Sequence, residues 1–229
     1  MTPEFFLGSS YFENGKGGTD FRRQFAHEWY FNTRKQNPTK TVIISEGGSA
    51  PPHYAGIDYV NLAADLGHCH DLIENRKPYQ FSSWSTSMCA LALLAYDAVL
   101  PFVYWEQDML GFGPVVEQGF KDLGDGLMVF GQKHKSPPFM PCSQSFFIVA
   151  HAFIPTFVAS YLALGGDRDR HNLGEVKFVK LAEKFGHLRC RRLSFGVDRE
   201  RPIPWDAPVW YAQQWTQAEL DEAKKRGLI

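Results

Sequence analysis

The tripeptide Glu106-Gln107-Asp108 places two carboxylates two residues apart, directly after the apolar run LPFVYW at 100–105 and shortly before GFG at 111–113. In an extended segment residues i and i+2 project to the same side, so Glu106 and Asp108 are expected to face one ligand together. Two hard carboxylate oxygens suit Mg²⁺ or Mn²⁺, and such an ion can bridge to a diphosphate. The plainer reading is an exposed acidic turn after a strand. The apolar run before the tripeptide and the glycines after it favour a ligand site.

Other residues carry weaker signals. His68 and His70 flank Cys69 in GHCH, but no second Cys/His cluster of matching spacing exists, so a polar loop is the simpler reading. His53, His134 and His151 are isolated. The stretch 193–215 is dense in Arg, Trp and Pro, and there Arg199, Arg201, Trp205 and Trp210 offer phosphate clamps and platforms for sugar rings. A proline-ordered segment packing its tryptophans over a sheet would look the same, and for Trp210 that reading is preferred. The GKGG loop at 15–18 lacks the GxxxxGK[ST] pattern, and GxGxxG and GxSxG are also absent.

The elements that must position these residues follow from periodicity. Strands are expected at 5–12, 41–45, 57–62, 100–105, 127–131, 144–150 and 188–196. Between them, Asp20 opens a helix with Phe21, Phe25, Trp29 and Asn32 at helical spacing, and a serine-rich start at 82–87 opens an apolar helix. Further helices are expected near 153–164 and 175–185. Thr216 and Glu219 form a capping-box pattern before the last one. Strands interleaved with helices predict an α/β chain, a three-layer α/β/α sandwich around a mostly parallel, mixed sheet. Residues 1–229 are read as a single domain.

Composition narrows the class. With 24 basic and 25 acidic residues the net charge is −1, which argues against broad capture of nucleic acid or anionic membrane. Cysteines 69, 89, 142 and 190 show no CxxC spacing and are read as reduced thiols in or near the core. The N-terminal residues lack a signal-peptide pattern, and no run approaches the roughly 20 apolar residues of a membrane helix. A cytoplasmic location is the expectation.

The order of elements, with an acid-x-Asp after the strand that follows a Ser-rich helix, resembles a GT-A-type glycosyltransferase over roughly residues 5–185. In that family a DxD-type motif holds a metal ion and the donor diphosphate. The resemblance therefore implies that Glu106 and Asp108 bind Mn²⁺ or Mg²⁺ and that Gln107 lies against the donor. The first position departs from the commonest Asp. The resemblance further implies donor contacts at Ser9 and Tyr11 on strand one, at Glu46 after strand two, at Asp65 after strand three, and at Ser87 in the Ser-rich helix. Trp84 reads equally as a stacking surface or as core. Family members often carry an acidic residue that opens a later helix and acts as base in inverting enzymes; Glu175 stands in that place. A carboxylate there is also simply favourable at a helix N-terminus. The resemblance also implies a nucleotide-sugar-binding half over 1–110 and an acceptor-side half over 111–229, with Arg201 and Trp205 expected to bind the acceptor.

These readings imply a nucleoside diphosphate sugar donor and a hydroxyl-bearing glycan or small-molecule acceptor, with transfer metal-assisted and inverting. A sugar nucleotidyltransferase is the alternative enzyme, although the Gly-rich, basic signature of that class does not follow strand one. A glycosyltransferase-like binding module without turnover is the alternative outside enzymes.

Overall fold

A computed structural model describes residues 3–12, 21–46, 49–67, 69–132, 142–169, 173–197 and 199–229. The expected cap Asp20, the GKGG loop, His68 and His134 lie outside the described residues, as do the side chains of Cys69 and His70.

Along the chain the strands are β1 (Phe6–Tyr11), β2 (Lys40–Ser45), β3 (Asp58–Asn61), β4 (Phe102–Trp105), β5 (Met109–Phe112), β6 (Met128–Gln132), β7 (Cys142–Val149), β8 (Cys190–Arg192) and β9 (Trp210–Gln213). The helices are α1 (Phe21–Gln24), α2 (Ala26–Arg34), α3 (Cys69–Ile73), α4 (Ser83–Asp97), α5 (Val115–Leu123), α6 (Ile154–Ala163), α7 (Gly174–Phe185) and α8 (Gln217–Lys225). Seven strands form one sheet in the order β3-β2-β1-β4-β7-β6-β8. Within it β1 runs parallel to β2 and β4, β2 parallel to β3, and β6 parallel to β8, while β7 is antiparallel to both neighbours. The expected mostly parallel, mixed sheet is the observed one, and it draws strands from both halves of the chain.

The period-two alternation of the central strands builds the core on both sides of this sheet. Phe6, Phe102, Tyr104, Phe147 and Val149 face α4, α6 and α7. Leu7, Val103, Trp105, Phe146 and Ile148 face the opposite layer, which includes Trp29 of α2, Val115 of α5 and Leu220 of α8. A strand buried on both faces reads as a continuous apolar run, as FVYW does. Each such large side chain contributes about 1.5–3 kcal/mol on burial.

Two features were not anticipated. The stretch after Asp108 is not a loop: β5 pairs antiparallel with β9 in a separate two-stranded ribbon. Buried Asn32 fastens α2 to that ribbon, donating from Nδ2 to Gly111 O (2.6 Å) and accepting from Gly111 N (2.9 Å). Helix α5 follows directly, with Val115 and Val116 in the core. The capping box does form at Thr216, whose hydroxyl accepts from Glu219 N while the Glu219 carboxylate accepts from Thr216 N.

Candidate active site

Because β1, β2 and β4 are parallel, their carboxyl ends share one edge of the sheet, and antiparallel β7 begins there. Ligand clefts of open α/β sheets form at such an edge. Here a cleft of about 340 Å³ is lined by Ser10 of β1, Glu46 after β2, Glu106 and Asp108 after β4, and Gln144 and Ser145 of β7. The first turns of α4 and α7 close it with Trp84 and Glu175, and Arg22, Asp167, Arg199 and Gln213 complete the polar wall.

The acidic tripeptide is buried: Glu106, Gln107 and Asp108 are 8%, 2% and 5% exposed. It does not continue the strand. It turns between β4 and β5, with Met109 N donating to Glu106 O at 3.1 Å, so the expected extended geometry is replaced by a tight turn. The turn nonetheless converges the two carboxylates: Gln213 Nε2 donates to Glu106 Oε2 at 2.7 Å and to Asp108 Oδ1 at 3.1 Å. Arg22 approaches Asp108 Oδ2 at 3.8 Å. The backbone is braced on every side, by Glu106 N to Ser145 O (2.8 Å), Trp29 Nε1 to Glu106 O (3.1 Å) and Gln214 N to Asp108 O (2.9 Å). Gln107 is absent from the cleft lining, and its Nε2 is buried without a hydrogen-bond partner.

Two carboxylate oxygens within reach of one amide nitrogen fit a small, hard divalent cation, which would replace that N–H donor as their shared positive partner. Gln213 could add a third oxygen by turning its carboxamide. Among the described residues no group of three or more His, Cys, Asp or Glu side chains gathers in a way that could hold a metal ion.

Glu46, 3% exposed, accepts at 2.7 Å from Ser87 Oγ, which is itself fully buried. Burial pushes its carboxyl up to about 7; the Ser87 hydrogen bond, Arg22 and the adjacent Ser83 hydroxyl hold it back, and Asp65 adds to the rise. Ser87 therefore acts on the cleft through Glu46. Asp65 itself is exposed and does not line the cleft. It pairs with Lys77 at 2.7 Å, which lowers its pKa, and accepts from Gly67 N at 2.9 Å.

On β1 the pleat turns Ser9 and Tyr11 away from the expected contact. Ser9 Oγ donates to Trp105 O at 2.6 Å beneath the surface, and Tyr11 belongs to the core. Ser10, one residue out of phase, lines the cleft and is hydrogen-bonded to Tyr104 Oη at 2.7 Å. Arg201 and Trp205 also miss it. Arg201 pairs with Glu219 and donates to the Gln213 carbonyl at 3.0 Å, bracing the strand that carries Gln213. Trp205 packs on Phe112 and Trp215, with Arg226 over its ring. Aromatic content alone does not distinguish a sugar platform from core. Glu175 lies where expected, half-buried in the first turn of α7 and on the cleft wall.

The sequence reading missed a buried ion pair. Lys177 Nζ meets Asp167 Oδ1 at 2.7 Å, and Asp167 Oδ2 accepts from Ser82 N (2.8 Å) and Ser82 Oγ (2.7 Å) at the N-cap of α4. The pair ties the first turn of α7 to that of α4 across the cleft. Its only sequence signal was a lysine four residues before Leu181, on the apolar face of a helix.

No protein-family model matches the sequence, and a search among curated proteins found no match. Solved structures do match in three dimensions. The galactosyltransferase LgtC, crystallised with donor and acceptor sugar analogs, superposes with a TM-score of 0.51 at 10% identity, over 93% of this chain and 88% of that one. A glycosyltransferase involved in glycosylating the major capsid of PBCV-1 gives 0.48 at 12% identity, over 99% and 100%. HddC from Yersinia pseudotuberculosis gives 0.49 at 7% identity, over 97% and 99%. The chain has the GT-A-type glycosyltransferase fold. Among the described residues no helix is long and apolar enough to cross a membrane.

Proposed function

We propose that this chain is a glycosyltransferase that uses a nucleoside diphosphate sugar and a divalent cation. The observation that carries the reading is the convergence of Glu106 and Asp108 on one atom, Gln213 Nε2, in the cleft at the carboxyl edge of the sheet. Glu106 and Asp108 would hold Mn²⁺ or Mg²⁺ together with the donor diphosphate. Such an ion offsets the charge that grows on the leaving diphosphate.

The remaining steps belong to the protein's own groups. Glu46 and Ser10 bind the nucleoside end of the donor, and Arg22 adds positive charge beside Asp108 for the phosphates. An acceptor hydroxyl oxygen attacks the anomeric carbon as the bond from that carbon to the diphosphate oxygen breaks, the electron pair leaving on the nucleoside diphosphate. Glu175 takes the hydroxyl proton, so the sugar is transferred with inversion.

Incubation with nucleoside diphosphate sugars and Mn²⁺, followed by mass spectrometry of released nucleoside diphosphate and extended acceptor, tests the reading. Turnover that Asp108→Ala and Glu175→Gln abolish, with donor binding retained in Glu175→Gln, is the expected result. Donor binding to the wild type with no release of nucleoside diphosphate, to acceptor or to water, would instead indicate a binding module.

A further inference from the structure

Helices α4 and α6 lie side by side over one face of the sheet and run antiparallel. Ser85 Oγ and Tyr161 Oη are 2.8 Å apart at one end of the pair, and the rings of Tyr96 and His151 stack at 5.0 Å at the other. Their inner sides form core. A helix at a protein surface ordinarily carries charge on the side away from its buried stripe. Here α6 contains no charged residue, and α4 contains one, Asp97 at its end. The outer surface is made instead by Leu93, Leu94 and Tyr96 of α4 and by Pro155, Ala159 and Leu162 of α6, all exposed.

Val99 extends this surface past the end of α4. It is 72% exposed and has φ 59°, the left-handed position that closes the helix, where Val99 N donates to Tyr96 O (3.0 Å) and Leu100 N to Ala95 O (3.1 Å). Glycine or asparagine is the ordinary choice at such a position, and a β-branched residue is a steric outlier. An apolar side chain is thus held out in solvent at a conformational cost, with little burial to offset it.

Two exposed charges frame the surface at opposite corners. Asp97 follows Tyr96, whose stacked partner His151 precedes α6. Lys184 of α7 donates to Ser160 Oγ at 3.2 Å, near the other end of α6. Among the described residues neither is paired with an opposite charge.

We infer that this face is a homodimer interface, covered by a second copy of the chain. A two-fold axis in the plane of the face, midway between the two corners, sets each copy's Asp97 opposite the other copy's Lys184. Isologous pairing needs a surface complementary to itself, and an uncharged centre with one acid and one base at opposite corners is such a surface. Contiguous exposed apolar patches are uncommon on monomers and mark contacts. A lipid surface fits less well, because interfacial helices carry a strongly basic polar face, and here a single lysine is balanced by an aspartate. None of these residues lines the cleft, so the inference stands apart from the transferase reading.

Sedimentation equilibrium of the full chain at micromolar concentration tests it. The wild type should show twice the chain mass. Leu94→Glu and Leu162→Glu should each raise the dimer dissociation constant at least tenfold with an unchanged circular dichroism spectrum. Val99→Gly, which removes the side chain and suits the left-handed backbone, should weaken the dimer several-fold without unfolding the chain. Asp97→Lys and Lys184→Glu should each weaken it, and the two together should restore it. A monomeric wild type overturns the inference, and its co-sedimentation with phosphatidylcholine–phosphatidylserine vesicles would assign the face to a lipid surface. A dimer that Leu94→Glu and Leu162→Glu leave intact places the interface elsewhere and overturns it as well. A double charge reversal that restores nothing overturns the two-fold arrangement.

Discussion

Lys177 and Asp167 are joined at 2.7 Å with side chains 0% and 1% exposed, a full ion pair inside the protein beside the cleft. Removing one partner leaves an uncompensated buried charge, which costs more than the pair itself contributes. Lys177→Met should therefore lower stability by about 3–5 kcal/mol in urea denaturation. The double variant Lys177→Met/Asp167→Asn should recover much of the loss, since the introduced carboxamide can still accept from Ser82. A loss under about 1 kcal/mol in the single variant would show that water reaches the site.

Glu46 predicts a pH dependence. Its carboxyl is raised from 4.5 to about 7 by burial, so the folded state holds its proton more tightly than the unfolded chain does. The resulting stabilisation is complete below about 4.5 and is lost as pH rises through about 7. Glu46→Gln keeps an acceptor for Ser87 without the charge. Its stability relative to wild type should climb across that window by up to about 3 kcal/mol. Parallel melting curves for the two proteins from pH 4 to 8 would contradict the assignment.

Asp108 and Glu106 should couple cation binding to nucleotide binding. A nucleoside diphosphate at a hundredfold over its Kd should stabilise the wild type by about 2.7 kcal/mol in the presence of Mn²⁺. Chelation with EDTA should remove most of this effect, and Asp108→Ala should abolish it while leaving the unliganded melting temperature within a few degrees. Equal nucleotide stabilisation with and without Mn²⁺ would assign the phosphate contacts to Arg22 and Arg199 instead.

Gly174 tests how closely the cleft walls are fitted. A methyl group there would overlap Gln144 Oε1 and press on the Trp84 ring, so one of the two must shift. Gly174→Ala should cost about 1–3 kcal/mol of stability from overpacking, since the better helix propensity of Ala offsets little at a first turn. Donor affinity should fall more than tenfold. Unchanged affinity would mean that Gln144 moves freely and does not shape the subsite.

Much of this was legible in the residues. Alternating or continuous apolar runs such as FVYW specify strands wherever both sheet faces are covered, and Ser82 and Thr216 marked the starts of α4 and α8 because their hydroxyls cap the first-turn amides. Glu106 and Asp108 stood out because charge after a buried strand must find a partner. By contrast β5 and β9 are short, and residues 109–112 pair only with a strand about a hundred positions away, so no local pattern announced them. Trp205 matched the composition of a carbohydrate platform, yet it packs against Phe112, away from the cleft lining.

The sequence by itself therefore determined the α/β layering, and it pointed to the carboxyl edge and to the acidic pair that lines the candidate cleft there. Tertiary structure alone decided which groups meet that pair. Gln213 arrives 105 residues after Asp108, through a ribbon whose register is set by inter-strand hydrogen bonds. On β1 the pleat presents Ser10 where Ser9 and Tyr11 were expected, because neighbouring side chains on a strand project to opposite faces and packing chooses between them. The Asp167–Lys177 pair depends on α7 folding back against α4. Long-range contacts of this kind reflect chain topology, which local spacing does not encode.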